Sequence, residues 1–188
     1  MKPPRDDVFD HELMMAVGRH DRHAFERIVE RHYGWALGFA DRLLGNRHEA
    51  EDLVQTAFLR VWDVAARWEA KAKFSTWLYR VLYNLCMDQL RSRRVEASER
   101  LEGEFVESVP DETPGGEERL SGLQREARVR EALDRLPVRQ RAAIVLCYYE
   151  ERSQVEAAAL LGVSEGALES LLSRGRATLR KWLHDGLQ

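Results

Sequence analysis

Apolar residues recur along the first half of the chain at spacings of three and four. Starting at Phe25, the positions Ile28, Val29, Tyr33, Ala36 and Leu37 follow the 3.6-residue period of a helix, with Asp21 placed to cap it and Gly45 to end it. Asn46, with Glu49 three residues on, opens a second helix whose stripe runs through Ala50, Leu53, Val54, Ala57, Phe58, Val61, Trp62 and Ala65. A third helix, with Ser75 as its expected cap, carries Leu78, Val81, Leu82, Leu85, Cys86 and Leu90 on one side, and a shorter helix from Asp10 to Val17 precedes the three. Helices with a single apolar stripe bury it against one another, so this half is predicted to be an all-α bundle.

The pattern resumes near the C-terminus. Leu136-Pro137 marks a helix start with proline in the first turn, and Ile144, Val145 and Tyr148 form its expected buried face. Ser153 and Glu156 make a capping box that opens a helix through Val155, Ala158, Ala159, Leu160 and Leu161. Gly162-Val163-Ser164 is a tight turn, and a last helix runs from Glu165 to about Leu183. Helix, turn and helix in this order fit a DNA-reading helix-turn-helix, and equally an antiparallel pair joined by a glycine turn.

Charge separates the two patterned halves. The 188 residues carry 29 basic and 32 acidic side chains, a net charge of −3 that argues against nucleic-acid binding when summed over the chain. Residues 1–94 and 128–188 are each at +2, whereas 95–127 are at −7 and include Val109-Pro-Asp-Glu-Thr-Pro-Gly-Gly-Glu-Glu118. Such a stretch has too little apolar surface to offset its ordering entropy, so the expectation is two small helical domains, 1–94 and 128–188, joined by a flexible acidic linker.

Composition also removes several classes. Cys86 and Cys147 stand far apart in apolar surroundings and form neither a C-x-x-C pair nor a disulfide framework; buried structural thiols are expected. The N-terminus lacks the apolar core of a signal peptide, and no run approaches the ~18 apolar residues of a membrane span, so a cytoplasmic chain is expected. His48-Glu-Ala-Glu-Asp52 starts like a zinc-protease helix but has no second histidine at i+4, and His20, Asp21 and His23 have no further ligand at matching spacing. With no glycine-rich phosphate loop and no nucleophile–base pair, neither catalysis nor a cofactor nor a metal is expected.

The third helix and the loop before it carry more than a core stripe. Between Glu69 and Arg94 stand Lys71, Lys73, Arg80, Arg91, Arg93 and Arg94 against two acidic residues, interleaved with Phe74, Trp77, Tyr79 and Tyr83, and with Trp68 just before. Cations neutralise phosphates and flat rings stack on unpaired bases, the combination that single-strand binding requires. The alternative is that the rings are core and the cations a solvated face.

Two motif sets in order resemble the extracytoplasmic-function group of the sigma-70 family of bacterial RNA polymerase initiation factors. They are Ala50-Glu-Asp-Leu-Val-Gln-Thr-Ala-Phe-Leu-Arg-Val-Trp62 with Phe74-Ser-Thr-Trp-Leu-Tyr-Arg-Val-Leu-Tyr-Asn-Leu-Cys-Met-Asp-Gln-Leu-Arg91, then Leu136-Pro-Val-Arg-Gln-Arg141 and Ala157-Ala-Ala-Leu-Leu-Gly-Val-Ser164 leading into Ser173-Arg-Gly-Arg-Ala-Thr-Leu-Arg180. The resemblance covers nearly the whole chain outside the linker.

It implies a non-catalytic subunit with a division of labour. The second helix, with Asp52, Gln55, Phe58, Leu59 and Trp62, matches the segment that docks on the clamp helices of the largest polymerase subunit, and the flap region is a further implied polymerase contact of the chain. Phe58 and Trp62 lie on the apolar stripe and are assigned mainly to packing, Asp52 and Gln55 to polymerase. The loop from Arg67 and the helix after it match the reader of the minus-10 promoter element, which holds a melted non-template base; its residues here are Lys71, Lys73, Ser75, Thr76, Trp77, Arg80 and Asn84. Trp77, Arg80 and Asn84 share a face, so an exposed Trp77 is expected.

The last helix matches the reader of the minus-35 element, with Ser164, Glu169, Ser170, Ser173, Arg174, Arg176 and Arg180 as its polar or phosphate-contacting residues. The chain departs from the family pattern in having Glu165, Glu169 and Leu171 where basic or polar residues are usual, and Glu150-Glu-Arg152 where a glycine often stands. Glu169 can accept from cytosine N4, or this stretch faces protein. The resemblance further implies control by an anti-sigma factor, which would hold the chain in the cytoplasm or at the membrane. The rivals are an ordinary dimeric helix-turn-helix repressor or activator and a sigma-like protein-interaction decoy. Neither has a reason to carry both the docking helix and the aromatic, basic helix.

Overall fold

The computed structural model describes residues 7–69, 71–101 and 122–185. Eight α-helices are present among them: α1 Asp7–Val17, α2 Arg22–Leu44, α3 Arg47–Ala65, α4 Phe74–Leu101, α5 Gly122–Asp134, α6 Val138–Ile144, α7 Gln154–Leu161 and α8 Glu165–Asp185. The expected caps are where the side chains predicted them. Asp21 Oδ1 accepts from Ala24 N at 3.1 Å, Asn46 Oδ1 accepts from Glu49 N at 3.2 Å, and Gly45 ends α2 in the left-handed region at φ 65°. Ser75 is different: α4 begins at Phe74, two residues before the start a Ser75 cap would give, so Ser75 lies inside the first turn and is only 4% exposed.

Helices α1 to α4 form the N-terminal bundle. Its centre is aromatic, with Trp35 4.5 Å from Tyr79, Phe39 5.1 Å from Tyr79, and Phe74 against the His32 ring at 4.8 Å, all buried. A polar knot ties α1 to α2 inside this core. Asp10 accepts from Arg31 Nε at 3.0 Å, its other oxygen lies 3.0 Å from His32 Nε2, and Trp35 Nε1 donates to His32 Nδ1 at 3.0 Å. Because His32 Nδ1 accepts, a neutral ring carries its proton on Nε2. Gly18 lets the end of α1 approach α3 closely: a Cβ there would stand 2.6 Å from the carbonyl oxygen of Ala65.

Helices α5 to α8 form the C-terminal half. The Ser153 capping box has both of its bonds, Glu156 N to Ser153 Oγ at 3.2 Å and Ser153 N to Glu156 Oε2 at 3.0 Å. The bond from Ser153 N–H to the carboxylate, joined by one from Ser153 Oγ, holds the Glu156 carboxyl below its ordinary range. Gly162, at φ 64°, makes the turn into α8. Pro137 sits at the cap position, directly before α6.

The connection from α6 to α7 departs from the simple helical pattern. Between them the chain makes a π-helical turn over Val145–Tyr149, closed by Glu150 N donating to Val145 O at 3.0 Å. The wider i→i+5 turn rotates the later residues off the 3.6-residue face. Tyr148, expected in the core, is therefore 53% exposed, while Glu150 is buried. Glu151 follows at φ 48°, in the left-handed region that glycine adopts most readily. Val155, on the expected apolar stripe of α7, is also exposed, and Cys147 is only partly buried. Cys86 is fully buried, and burial pushes its thiol up to about 12.

The two halves touch. Arg141 of α6 donates through Nη1 to the carbonyl of Leu43 at 2.9 Å and to Asp134 Oδ1 at 2.9 Å, and Arg130 Nη2 lies 3.1 Å from Asp41 Oδ2. The Tyr79 hydroxyl of α4 donates to the Glu150 carboxylate. Helix α4 continues beyond residue 94 and α5 starts at Gly122, so both ends of the expected linker, 95–101 and 122–127, are helical, and residues 102–121 lie outside the described residues.

Candidate nucleic-acid interface

Three surfaces carry the residues singled out by the sequence. The first is the outer strip of α3. Asp52, Gln55 and Leu59 stand at i, i+3 and i+7 and all face solvent, Leu59 with 65% of its surface exposed. Phe58 lies beneath them and is buried, stacked at 6.4 Å on Tyr33 of α2. Trp62 is half-buried and meets Phe25 edge-on at 5.3 Å and His20 at 6.1 Å. Phe58 and Trp62 thus belong to packing first, in keeping with their stripe positions. Tyr33, a core-stripe position of α2 by spacing, is instead partly exposed, with its ring on that of Phe58.

The second surface is the turn between α3 and α4. It forms an open hollow of about 440 Å³ whose walls include Arg67, Trp68, Glu69, Lys71 and Trp77. Trp68 and Trp77 meet edge-to-face at 5.6 Å, and Phe74 supports both rings from below, at 5.9 and 6.1 Å. Trp77 is half-buried, contrary to the expected exposed ring, because the rings of Trp68 and Phe74 cover it. Lys71 pairs with Glu69, and Lys73 Nζ lies 2.7 Å from Asp7 Oδ2 at the start of α1. Arg80 and Asn84 are exposed along α4, Thr76 is half-buried, and Ser75 is buried and absent from the wall of the hollow. Arg67 and Trp68 are wall residues outside the seven that the resemblance implies for minus-10 reading. The alternation of ring and cation from residue 67 onward is the signal that could have found them.

The third surface is the outer face of α8. Leu168 and Leu172 are buried and Leu171 is half-buried, leaving Glu165, Glu169, Ser170, Ser173, Arg174, Arg176 and Arg180 outside. Ser164 caps the helix, its Oγ accepting from Ala167 N at 3.2 Å. Ser170 Oγ is occupied with Gly166 O at 3.0 Å and Arg174 Nε with Ser170 O at 3.1 Å. Arg176 Nη1 donates to the exposed Tyr148 hydroxyl at 3.3 Å. The face is acidic in its first turns and basic afterwards. Glu165 complements the positive N-terminal end of the helix dipole, a sufficient structural reason for an acid at that position.

Elsewhere, His23 Nδ1 lies 3.5 Å from Glu26, and among the described residues no group of three or more His, Cys, Asp or Glu side chains is arranged to hold a metal ion. No described helix is long and apolar enough to cross a membrane.

Two family patterns match the chain. Residues 28–96 match the family Sigma-70 region 2, and residues 126–179 match Sigma-70, region 4. The chain is 37% identical over 160 residues to the ECF RNA polymerase sigma factor SigE of Mycolicibacterium smegmatis, covering 85% of this chain and 62% of that protein. It is 33% identical over 177 residues to the ECF RNA polymerase sigma factor SigW of Bacillus subtilis, covering 90% of this chain and 94% of that one. Among solved structures, the sigma factor RpoE in complex with the anti-sigma factor NepR from Bartonella quintana superposes with a TM-score of 0.66 at 29% identity, covering 85% of this chain and 96% of that chain. With both region patterns in order on an all-helical fold, and relatives matched along most of their length, the chain belongs to the sigma-70 family as an alternative sigma factor of the extracytoplasmic-function group.

Proposed function

We propose that this chain binds core RNA polymerase and brings it to promoters that it reads at two elements, catalysing no reaction itself. The exposed strip Asp52, Gln55 and Leu59 docks on the clamp helices of the largest subunit. An apolar anchor flanked by polar residues suits such an interface. The hollow after α3 takes an unpaired non-template base of the minus-10 element, with Lys71, Lys73 and Arg80 on the neighbouring phosphates and Thr76 and Asn84 along the strand. Helix α8 lies in the major groove at the minus-35 element, where Arg174, Arg176 and Arg180 contact phosphates and Glu169, Ser170 and Ser173 face base edges. Labour divides between residues 1–94 and 128–188, joined through 95–127.

The observation that carries this reading is the aromatic hollow with cations at its rim. About 440 Å³ walled by two tryptophans, beside lysines and arginines, matches what an extruded base and its backbone require. The likeness to a sigma factor solved with an anti-sigma factor supports a protein partner of that kind here, which would hold this chain inactive in the cytoplasm or at the membrane. The test is reconstitution of the full chain with core polymerase on a library of fork-junction promoters. Open complexes on a subset sharing two elements are expected, and failure to open any promoter overturns the proposal.

A further inference from the structure

Tyr148 departs from its surroundings. It belongs to the apolar run Ile144-Val-Leu-Cys-Tyr-Tyr149, whose Ile144, Val145 and Leu146 are buried, yet 53% of its own surface is exposed. The π-helical turn over Val145–Tyr149 carries it outward, and single π turns of this kind recur at functional sites because the added residue re-aims a side chain. Here the side chain is aimed at α8, where Arg176 Nη1 donates to Tyr148 Oη at 3.3 Å. Gly175 makes the meeting possible. A Cβ there would stand 3.1 Å from Ile144 Cγ1 and 3.6 Å from Gln140 Cβ, so the missing side chain lets α8 press on α6 beside the π turn. Among the described residues Arg176 has no acidic partner, and Tyr148 gives its hydroxyl proton to no other group. The phenol oxygen already accepts, so its O–H and the remaining guanidinium N–H groups are donors with nothing to serve.

The place of Arg176 on α8 identifies the acceptor. Glu169, Ser173, Arg176 and Arg180 recur at i, i+4, i+7 and i+11, all exposed, and so form one stripe. The first residues of a recognition helix reach base edges. At 1.5 Å of rise per residue, Arg176 stands roughly 10 Å further along the axis than Glu169. The major groove is about 12 Å wide, so a side chain that far along the stripe has passed the bases and meets the phosphates of the groove wall.

We infer that Tyr148 and Arg176 together form a binding site for one phosphate of the DNA backbone beside the minus-35 element. Tyr148 donates its hydroxyl hydrogen and Arg176 its guanidinium, each holding the other in place. The site rests on the minus-35 reading proposed for α8 and adds to it a contact from outside the helix-turn-helix. A phosphate oxygen carries the negative charge that makes both bonds charge-assisted. The phenol also fixes the flexible arginine before DNA arrives, which lowers the cost of ordering that side chain on binding. Because the hydroxyl is uncharged, its bond adds affinity without releasing a counterion.

The test uses holoenzyme reconstituted from the full chain and core polymerase, bound to duplex promoter fragments at several salt concentrations. Tyr148→Phe keeps the exposed ring and removes only the hydroxyl. Its minus-35-dependent binding is expected to weaken about ten-fold, as for the loss of a hydrogen bond to a charged group, with the slope of log affinity against log salt unaltered. Arg176→Ala should weaken binding and lower that slope by about 1. The double variant should lose less than the product of the two losses, because one phosphate is shared. Tyr148→Phe binding as tightly as wild type, or losses that simply multiply, overturns the shared site and leaves the sigma-factor reading intact. A Tyr148→Phe chain that joins core polymerase poorly yet binds DNA normally once assembled assigns the tyrosine to polymerase and overturns the site equally. Wild-type holoenzyme indifferent to the minus-35 sequence overturns the reading of α8 and the site with it.

Discussion

The two surfaces proposed to read DNA are built on opposite plans. The N-terminal one is an open hollow: Trp68 and Trp77 wall it, Phe74 supports them, and the cations stand at its edge. The C-terminal one is the bare outer face of α8, where Ser170 and Arg174 are bonded to their own helix and Arg176 leans on Tyr148. A hollow can hold a base only once that base has left the stack, while a helix face can read only an intact groove. The difference implies that melting and duplex reading are separate tasks that tolerate separate damage.

The largest effect should come from removing a wall of the hollow. Trp77→Ala is expected to lower open-complex formation about 10- to 100-fold, from the loss of ~1–3 kcal/mol of stacking, with duplex binding at the minus-35 element nearly unchanged. Permanganate footprinting of the melted bases checks it, and an equal loss on duplex binding would break the contrast. Arg180→Ala, on the helix face, should weaken binding a few-fold for every sequence alike and reduce the slope of log affinity against log salt by about 1, as one phosphate contact is lost. Titrations at several salt concentrations measure it, and a sequence-dependent loss would instead make Arg180 a base reader.

Two smaller changes compare the halves as solids. Glu151→Gly relieves a non-glycine residue at φ 48° and should raise the stability of the C-terminal half by ~0.5–1 kcal/mol, leaving the N-terminal bundle unaltered. Hydrogen exchange resolved along the chain can separate the two. Smallest is the pH dependence of α7. Its capping box holds the Glu156 carboxyl below the ordinary value of 4.5, so that contribution is complete above this value and fades as pH falls through the lowered one. Glu156→Ala, which removes the carboxylate that accepts from the Ser153 backbone N–H and hydroxyl, should therefore cost ~0.5 kcal/mol near neutral pH and progressively less in acid, measured by urea melts across that range. A cost that does not change with pH would mean that the cap acts through the hydroxyl alone.

Much of the fold is legible from local pattern. Asp21, Asn46 and Ser153 cap their helices because a short polar side chain before an apolar run has few better uses than the free backbone N–H groups beside it. The α3 strip can be read because Asp52 and Gln55 lie off the stripe that buries Phe58. Tyr148 cannot, since nothing in Val145-Leu-Cys-Tyr-Tyr149 announces a π-helical turn, and one wider turn is enough to exchange inside for outside. Trp77 reads as a free ring because periodicity places it off the stripe of α4, while its cover comes from Trp68 in the preceding loop.

Helix positions, caps, the two motif sets and the uneven charge all follow from residues within a few turns of one another, and the sequence alone determines them because the interactions are local. The hollow between α3 and α4, the polar knot around Asp10 and the burial of Glu150 against Tyr79, 71 positions away, were decided only by the tertiary structure. Each joins side chains from separate helices, and whether a polar group there is bonded or exposed depends on how those helices pack, which no spacing along the chain records.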